Sequence, residues 1–405
     1  METPDLQQRL GRKELELKAL LEITQAINAN VPEDSLFKIF KFTAISNLQL
    51  RRLVLLVRDQ EWQIKAVHGH QAENGLLPLP DVLSRLTNIA SVKDLDLPGS
   101  FGSFDLVIPV LHQGENLAVV LVESTGTAET MGFLQALCNI MIVALENRKF
   151  QRQEVEQEIY RRELEIARDV QLMLFPEKLP QSGRIRLEAS YLPHDRVGGD
   201  YYDYIPMNND QFLVCIADVS GKGVGAAMLM SNFQASLRTL LRHTQDLPEI
   251  VRTLNEQVME SARGERFITF FAAIYHTADR CLTYINCGHN PPLLWTAGTG
   301  VAQLREGTTV LGAVRNLPGL NTTTIRSLDD FLLFCYTDGL TETWDEAGRE
   351  FGIAPVEEYL GHGAFQNLSR MHQDIIIALD GFKGRNPYGD DITMLTCRVE
   401  NRITD

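Results

Sequence analysis

Four short segments in the second half of the chain carry carboxylates in a pattern that suits metal chemistry: Gly198-Gly-Asp-Tyr-Tyr-Asp203, Asp218-Val-Ser-Gly-Lys-Gly223, Tyr336-Thr-Asp-Gly-Leu340 and Gly389-Asp-Asp-Ile-Thr393. Asp218 closes the apolar run Phe212–Ala217, Asp338 follows Phe331–Tyr336, and Asp390 and Asp391 open the run Ile392–Cys397. Strand-like runs that begin or end on aspartate place hard oxygen ligands at the rim of a sheet. Such ligands suit Mg²⁺ or Mn²⁺, which take oxygen donors and keep several waters. Hydrolysis at phosphorus is the natural use of such a centre. Each Asp-Gly pair taken alone is also ordinary turn punctuation, because both residues tolerate turn dihedrals.

The elements needed to position these groups are legible around them. Ser220-Gly-Lys-Gly-Val-Gly225 runs into a helical pattern with Ala226, Met230, Phe233, Leu237 and Leu240 on one face, which reads as a core-facing stripe. The spacing is not that of a nucleotide P-loop, although the amides at a helix start can help to hold an anion. Taken together, and with Phe267-Ile-Thr-Phe-Phe-Ala-Ala273 and Cys287-Gly-His-Asn-Pro-Pro292, the four segments resemble the bacterial serine phosphatase branch of the metal-dependent PP2C family, the group named after SpoIIE and RsbU. The resemblance covers roughly residues 165–400.

That resemblance implies roles residue by residue. Asp218 would bridge two metal ions and the Val219 carbonyl would ligate one of them. A carboxylate has two oxygens to share between dications about 3.5 to 4 Å apart, and the water between such ions becomes a nucleophile near neutral pH. Asp338 and Asp390 match positions that bind the second ion, with Asp391 ranked below its neighbour. Asp200 takes a metal or water-shell role ahead of Asp203. The expected cofactor is Mn²⁺ or Mg²⁺, as two ions with a third optional. Gly221 and Gly223 are expected to leave room for the substrate phosphate. Arg196 is the nearest counterpart of a phosphate-gripping arginine found in distant relatives. His289 is either a proton donor to the leaving oxygen or, more in keeping with its motif, a residue that shapes a loop.

Bulk properties narrow the class. The chain has 405 residues, 44% of them hydrophobic and 22% charged, which is globular composition and enough for two or three domains. A formal net charge of -15 disfavours nucleic acid or an anionic membrane as the main partner. Six cysteines without Cys-x-x-Cys spacing, three of them inside apolar runs, read as buried residues of a reducing compartment. No signal-peptide pattern opens the chain, and the apolar stretch 133–145 is too short to cross a bilayer. The expected location is the cytoplasm.

The first half reads as an α+β sensor. Amphipathic helices are expected over 12–30 and around 36–42, and strands at 53–57, 63–67, 106–110 and 117–122, the last two forming a hairpin. This order resembles a GAF domain over 15–147, with Ala118 where such domains commonly carry glycine. A small-molecule ligand for it stays open. His68 and His70 form a His-Gly-His at a strand end, more in keeping with solvated or structurally satisfied histidines than with metal ligands. From Gly132 to Leu174 a long helix is expected, with Leu134, Leu137, Met141, Ala144, Val155, Ile159, Ile166, Val170 and Met173 as an approximate seam. That seam reads as a coiled-coil stem between paired subunits.

The expected architecture is thus α+β throughout: a GAF-like sensor over 1–147, a helical linker over 148–178, and a PP2C-like αββα sandwich over 179–405. The resemblance implies hydrolysis of phosphoserine or phosphothreonine on a protein, by metal-bound hydroxide and without a phosphoenzyme. It also implies that the substrate is a phosphorylated STAS-type anti-sigma-factor antagonist, while the seam of the long helix leads to the expectation of a homodimer. The alternatives are a non-catalytic signalling scaffold and a two-metal hydrolase of nucleotides or small phosphate esters.

Overall fold

The computed structural model describes residues 3–48, 50–70, 76–124, 128–181, 183–363, 365 and 367–400; the last five residues of the expected C-terminal domain lie outside this set. The chain divides into two compact units, Met1–Glu158 and Ile159–Asp405.

The first unit begins with helices α1 (Thr3–Asn28) and α2 (Glu33–Leu48), followed by strands β1 (Leu50–Arg58) and β2 (Trp62–His68). A short helix α3 (Asp81–Ser84) and strand β3 (Ala90–Ser91) lead to the hairpin β4 (Leu106–His112) and β5 (Glu115–Ser124), after which α4 (Ala128–Leu172) starts. The strands form one antiparallel sheet in the order β2-β1-β5-β4-β3. Both faces are covered, which is why β1 reads as a nearly unbroken apolar run. Leu53, Leu55 and Val57 face Ile23, Phe40, Leu134 and Met141 of the helices. Val54 and Leu56 face Leu83, Phe101 and Phe104 on the other side. His70 lies against the Phe104 ring at 5.0 Å.

Helix α4 corrects one expectation. Its hydrophobic seam is not uniform: Leu134, Leu137 and Met141 belong to the core of the first unit, whereas Val155, Ile159, Ile166, Val170 and Met173 are all more than half exposed. The early part of this periodicity therefore serves the unit's own core, while the later turns leave their apolar residues exposed. Part of this helix is long and apolar enough to cross a bilayer, but nearly half of that part is buried within the protein.

The second unit contains β6 (Ile185–Leu192), β7 (Tyr201–Asn208), β8 (Gln211–Val219), α5 (Val224–Leu240), α6 (Leu247–Ala262), β9 (Ile268–His276), β10 (Cys281–Cys287), β11 (Leu293–Thr296) and β12 (Gly300–Gln303). There follow β13 (Gly307–Thr308), β14 (Thr323–Ile325), β15 (Phe331–Tyr336), α7 (Asp338–Thr341), α8 (Ala354–Gly361), α9 (Leu368–Lys383) and β16 (Ile392–Val399). Two sheets result, one in the order β13-β10-β9-β8-β7 with β14 beside β10, the other β12-β11-β15-β16-β6. All pairings are antiparallel except β10 with β13.

Alternation along the strands builds three apolar layers. Phe212, Val214, Ile216 and Phe271 meet Leu187, Leu333, Cys335 and Leu395 between the sheets. Leu213, Cys215 and Ala217 turn outward onto Met230, Phe233 and Leu254 of α5 and α6. Leu332, Phe334 and Met394 turn the opposite way onto Val356, Met371 and Leu379 of α8 and α9. The unit is a four-layered αββα sandwich. All six cysteines are buried and free, consistent with the sequence reading.

Candidate active site

Both sheets end at one rim, and the aspartates sit there because the strands stop there. Asp218 is the penultimate residue of β8, while Asp200 immediately precedes β7, in which Tyr201 pairs with Ala217. Asp338 follows β15 and Asp390 and Asp391 precede β16, in which Met394 pairs with Tyr336. One pair of adjacent strand ends from each sheet thus supplies the carboxylates.

Asp200 is the buried floor of this rim, 1% exposed. Its Oδ2 accepts from the hydroxyl of Thr337 at 2.9 Å and from that of Thr393. Both threonines belong to the other sheet, so Asp200 is held across the sandwich. Burial, with the charges of Asp218 and Asp391, keeps its carboxyl protonated far above the usual range, against the pull of the two hydroxyls. Asp218 is pushed up to about 7 by burial and then by Asp338, Asp390 and Asp391, with a hydrogen bond to Asp200 acting the other way. Asp338 rises to about 6 through burial, Glu342 and Asp390, opposed by the Gly339 amide and by Lys222. These carboxylates resist sharing the rim without a cation.

The remaining aspartates are engaged differently. Asp391 accepts from the backbone N–H of His194 at 2.7 Å and of Gly199 at 2.9 Å, fastening the loop before β7 to the second sheet. Burial still raises its pKa. Asp203, fully buried, accepts both arms of Arg238 at 2.7 and 2.9 Å, together with the Tyr201 hydroxyl and the Tyr204 amide. It is a structural anchor facing away from Asp200.

The glycines of the motifs permit close approach. A Cβ on Gly198 would lie 2.2 Å from Asp391 Oδ2, one on Gly199 2.8 Å from the Val219 carbonyl oxygen, and one on Gly339 2.1 Å from the Asp391 carbonyl oxygen. Gly221 departs from expectation. Its φ is +85°, and a Cβ there would meet Arg266 Nη1 at 2.5 Å, so the space it keeps open is filled by an arginine. Around Gly223, at φ +75°, a Cβ would meet nothing within 4 Å; its backbone conformation alone favours glycine. Arg266 donates to the Ser220 carbonyl at 2.8 Å, Ser220 Oγ accepts from the Phe267 amide at 2.8 Å, and the Ser220 amide donates to the Phe267 carbonyl at 2.9 Å. These contacts strap the turn after Val219 to the start of β9.

Arg196 is committed elsewhere. It pairs with Glu165 and donates to the Arg161 carbonyl at 3.1 Å, both on the last turns of α4. His289 is 4% exposed, with Nδ1 against Thr269 Oγ1 at 2.8 Å, and burial pulls its pKa down to about 4. A neutral, enclosed imidazole does not meet the requirement for a proton donor to substrate. Its neighbour Asn286 accepts from the His289 amide and donates to the His289 and Leu304 carbonyls, so the motif holds a loop.

Sequence reasoning also passed over four contributors. Thr337 and Thr393 lie inside the quoted motifs, but their partner is far away in sequence. Arg266 directly precedes a quoted segment. Gln171, 5% exposed near the end of α4, donates to the Gly198 carbonyl at 2.7 Å and accepts from the Gly198 amide at 3.2 Å. The final turns of the long helix therefore grip the loop that presents Asp200.

A divalent cation suits this donor set, which is all hard oxygen and depends on a positive charge to be fully ionised. Among the described residues no group of three acidic, histidine or cysteine side chains stands close enough together to hold a metal ion as placed. A cation is nonetheless present at the rim: the Lys222 ammonium lies 3.2 Å from Asp390 Oδ2.

Comparison with known proteins agrees with this geometry. Residues 208–400 match the family described as Stage II sporulation protein E (SpoIIE). Protein IcfG of Synechocystis sp. is 28% identical over 276 residues, which is 60% of this chain but only 42% of IcfG. Phosphoserine phosphatase RsbU of Bacillus subtilis is 27% identical over 248 residues, 60% of this chain and 72% of RsbU. The fold is that of the SiaA-PP2C domain of Pseudomonas aeruginosa, with a TM-score of 0.54 at 20% identity, covering 60% of this chain and 99% of that domain. The αββα sandwich and the carboxylate rim agree with these matches: residues 208–400 are similar to the SpoIIE family, and the C-terminal unit has a PP2C-like fold.

Proposed function

We propose that the protein is a metal-dependent phosphatase that hydrolyses phosphoserine or phosphothreonine on a signalling protein. The observation that carries this reading is the gathering of Asp218, Asp338 and Asp390 at strand ends of two sheets above the buried Asp200. Asp218, the Val219 carbonyl, Asp338 and Asp390 would hold two Mn²⁺ or Mg²⁺ ions, with Asp200 supporting them from below. Such a pair supplies an activated water and neutralises charge on the phosphoryl group.

The chain's own groups do the positioning. Asp200, held by Thr337 and Thr393, fixes the orientation of Asp218 through the hydrogen bond between the two carboxyls. Asp391 keeps the Gly199 amide in place, and Arg266 keeps the turn carrying the Val219 carbonyl against β9. Gly221 and Gly223 shape the loop over which a phosphate would approach. No cysteine nucleophile is required, and burial raises the thiols of Cys215, Cys287, Cys335 and Cys397 above their ordinary range.

The substrate class proposed is a phosphoserine protein, by analogy with the phosphoserine phosphatase RsbU, and within that class the STAS-type antagonist that the family resemblance implies. The first unit is proposed to be a GAF sensor acting in the cytoplasm. Its signal would reach the site through α4, because Gln171 holds the Gly198 backbone two residues before Asp200. The exposed stripe of α4 from Val155 to Val170 is proposed to pair two subunits. The test of substrate class compares turnover of a serine-phosphorylated STAS protein with that of linear and cyclic nucleotides, each with Mn²⁺. Preference for the phosphoprotein supports the reading. Preference for a nucleotide makes the protein a two-metal nucleotide hydrolase, and no turnover of any of them leaves a binding scaffold.

A further inference from the structure

Lys222 occupies an unusual place for a surface lysine. It stands between Gly221 and Gly223, whose φ values of +85° and +75° set the loop's path, and its ammonium crosses to the loop before β16. There it donates to the Gly389 carbonyl and lies 3.2 Å from Asp390 Oδ2. Its charge is also felt by Asp338. One ammonium from the first sheet's rim thus faces two carboxylates of the second sheet's rim, at the place where the proposed ions would sit.

The other cations near the rim differ in kind. Arg238 is locked into a two-armed pair with a fully buried Asp203. Arg266 is spread over Gly221 and Gly225 and bound to a carbonyl. Lys222 is a mobile point charge on a flexible stem, in a pair whose side chains remain 42% and 45% exposed. Half-exposed pairs of this sort are weak and open readily.

We propose that Lys222 is a built-in counter-cation that holds the Asp390 position when no divalent ion is bound and must release Asp390 for an ion to load. The inference rests on the reading of Asp390 as a metal ligand. An ammonium and a divalent ion cannot share the same carboxylate oxygen, so the two compete. Loading then unfastens the Asp218–Gly223 loop from the Gly389–Asp390 loop, and emptying fastens it again. Lysine suits this exchange because its charge can swing away without leaving a buried donor unsatisfied, whereas a wedged arginine cannot.

The test is calorimetric titration of the full chain with Mn²⁺ alone, without substrate, for the parent, Lys222→Met, Lys222→Gln and Lys222→Arg. Removing the competing charge should tighten Mn²⁺ binding roughly two- to five-fold, the range set by the strength of an exposed ion pair. Lys222→Arg should stay closer to the parent. The gain should shrink as salt rises from about 20 to 500 mM, because screening weakens the competitor. Unchanged or weaker binding in both neutral variants, with melting temperatures like the parent's, overturns the proposal while leaving the metal reading intact. A parent that binds no Mn²⁺ defeats the metal reading itself.

Discussion

Asp200 and Asp203 lie three residues apart in one motif, and replacing each by asparagine should give opposite outcomes. Asp203→Asn breaks a two-armed pair with Arg238 at distances of 2.7 and 2.9 Å, and turns an amide donor toward guanidinium donors. Losing one partner of a buried pair costs about 3 to 5 kcal/mol, and since the Arg238 side chain is 42% exposed the figure here falls to about 2 to 4 kcal/mol. For a unit of this size that corresponds to a melting temperature lower by about 5 to 12 °C. Asp200→Asn replaces a carboxyl already held protonated. The amide can accept from Thr337 and Thr393 and donate to Asp218, so the metal-free protein should change by less than about 1 kcal/mol. Activity should nonetheless fall roughly 10- to 100-fold, as for other groups that orient metal ligands. Scanning calorimetry of the full chain in chelator, paired with Mn²⁺-dependent phosphatase assays at low temperature, reads both effects. A stable but inactive Asp203→Asn, or an Asp200→Asn that loses several kcal/mol, would refute the division of labour.

In chelator, stability should fall as pH rises from about 4 to 7. Asp218 and Asp338 titrate near 7 and 6 when folded, above their unfolded values, so their contribution is complete at low pH and is lost as pH rises through those values. The Asp218 share is at most about 4 kcal/mol, and Asp218→Asn should make the slope shallower while Asp338 keeps its own part; denaturant titration at each pH checks this, with a flat or rising parent profile as the contrary result. Gly221→Ala should destabilise by about 1 to 2 kcal/mol more than Gly223→Ala, because only the former displaces Arg266 from the Ser220 carbonyl. Combining each with Arg266→Ala should erase that difference in thermal melts. Light scattering should find a dimer that Ile159→Ser with Ile166→Ser converts to monomer. One residue inserted at Glu156 turns the later helix by about 100° and should change activity strongly, whereas seven restore the phase and should not; equal activity in both would make the helix a passive tether.

Much of the rim was legible because its cause is local. Phe212–Ala217 and Phe331–Tyr336 are apolar on both faces, as strands buried between a second sheet and a helix must be, and the first carboxylate after each is a partly exposed position at the strand's end. The partners of Asp200 were not legible, since Thr337 and Thr393 lie 137 and 193 residues away and only the stacking of the two sheets unites them. Nor could spacing show that Arg266 lies where a Gly221 Cβ would stand, because a glycine records a need for space without naming its occupant. Helix α4 shows the same limit: its apolar period was read correctly, but period does not distinguish the unit's own sheet from another partner. Of the charged groups, Arg196 was only the nearest counterpart of an arginine in distant relatives, and its contact with Glu165 became visible only once α4 lay beside it.

The most direct measurement is Mn²⁺ titration of Asp218→Asn beside the parent, with phosphoprotein hydrolysis followed in the same samples. The account predicts a folded variant, confirmed by an unchanged circular dichroism spectrum, that loses ion binding at the rim and retains no more than about 1% of parental turnover. Full turnover by that folded variant, or turnover by the parent in chelator, would contradict the claim that Asp218 assembles the metal centre on which hydrolysis depends.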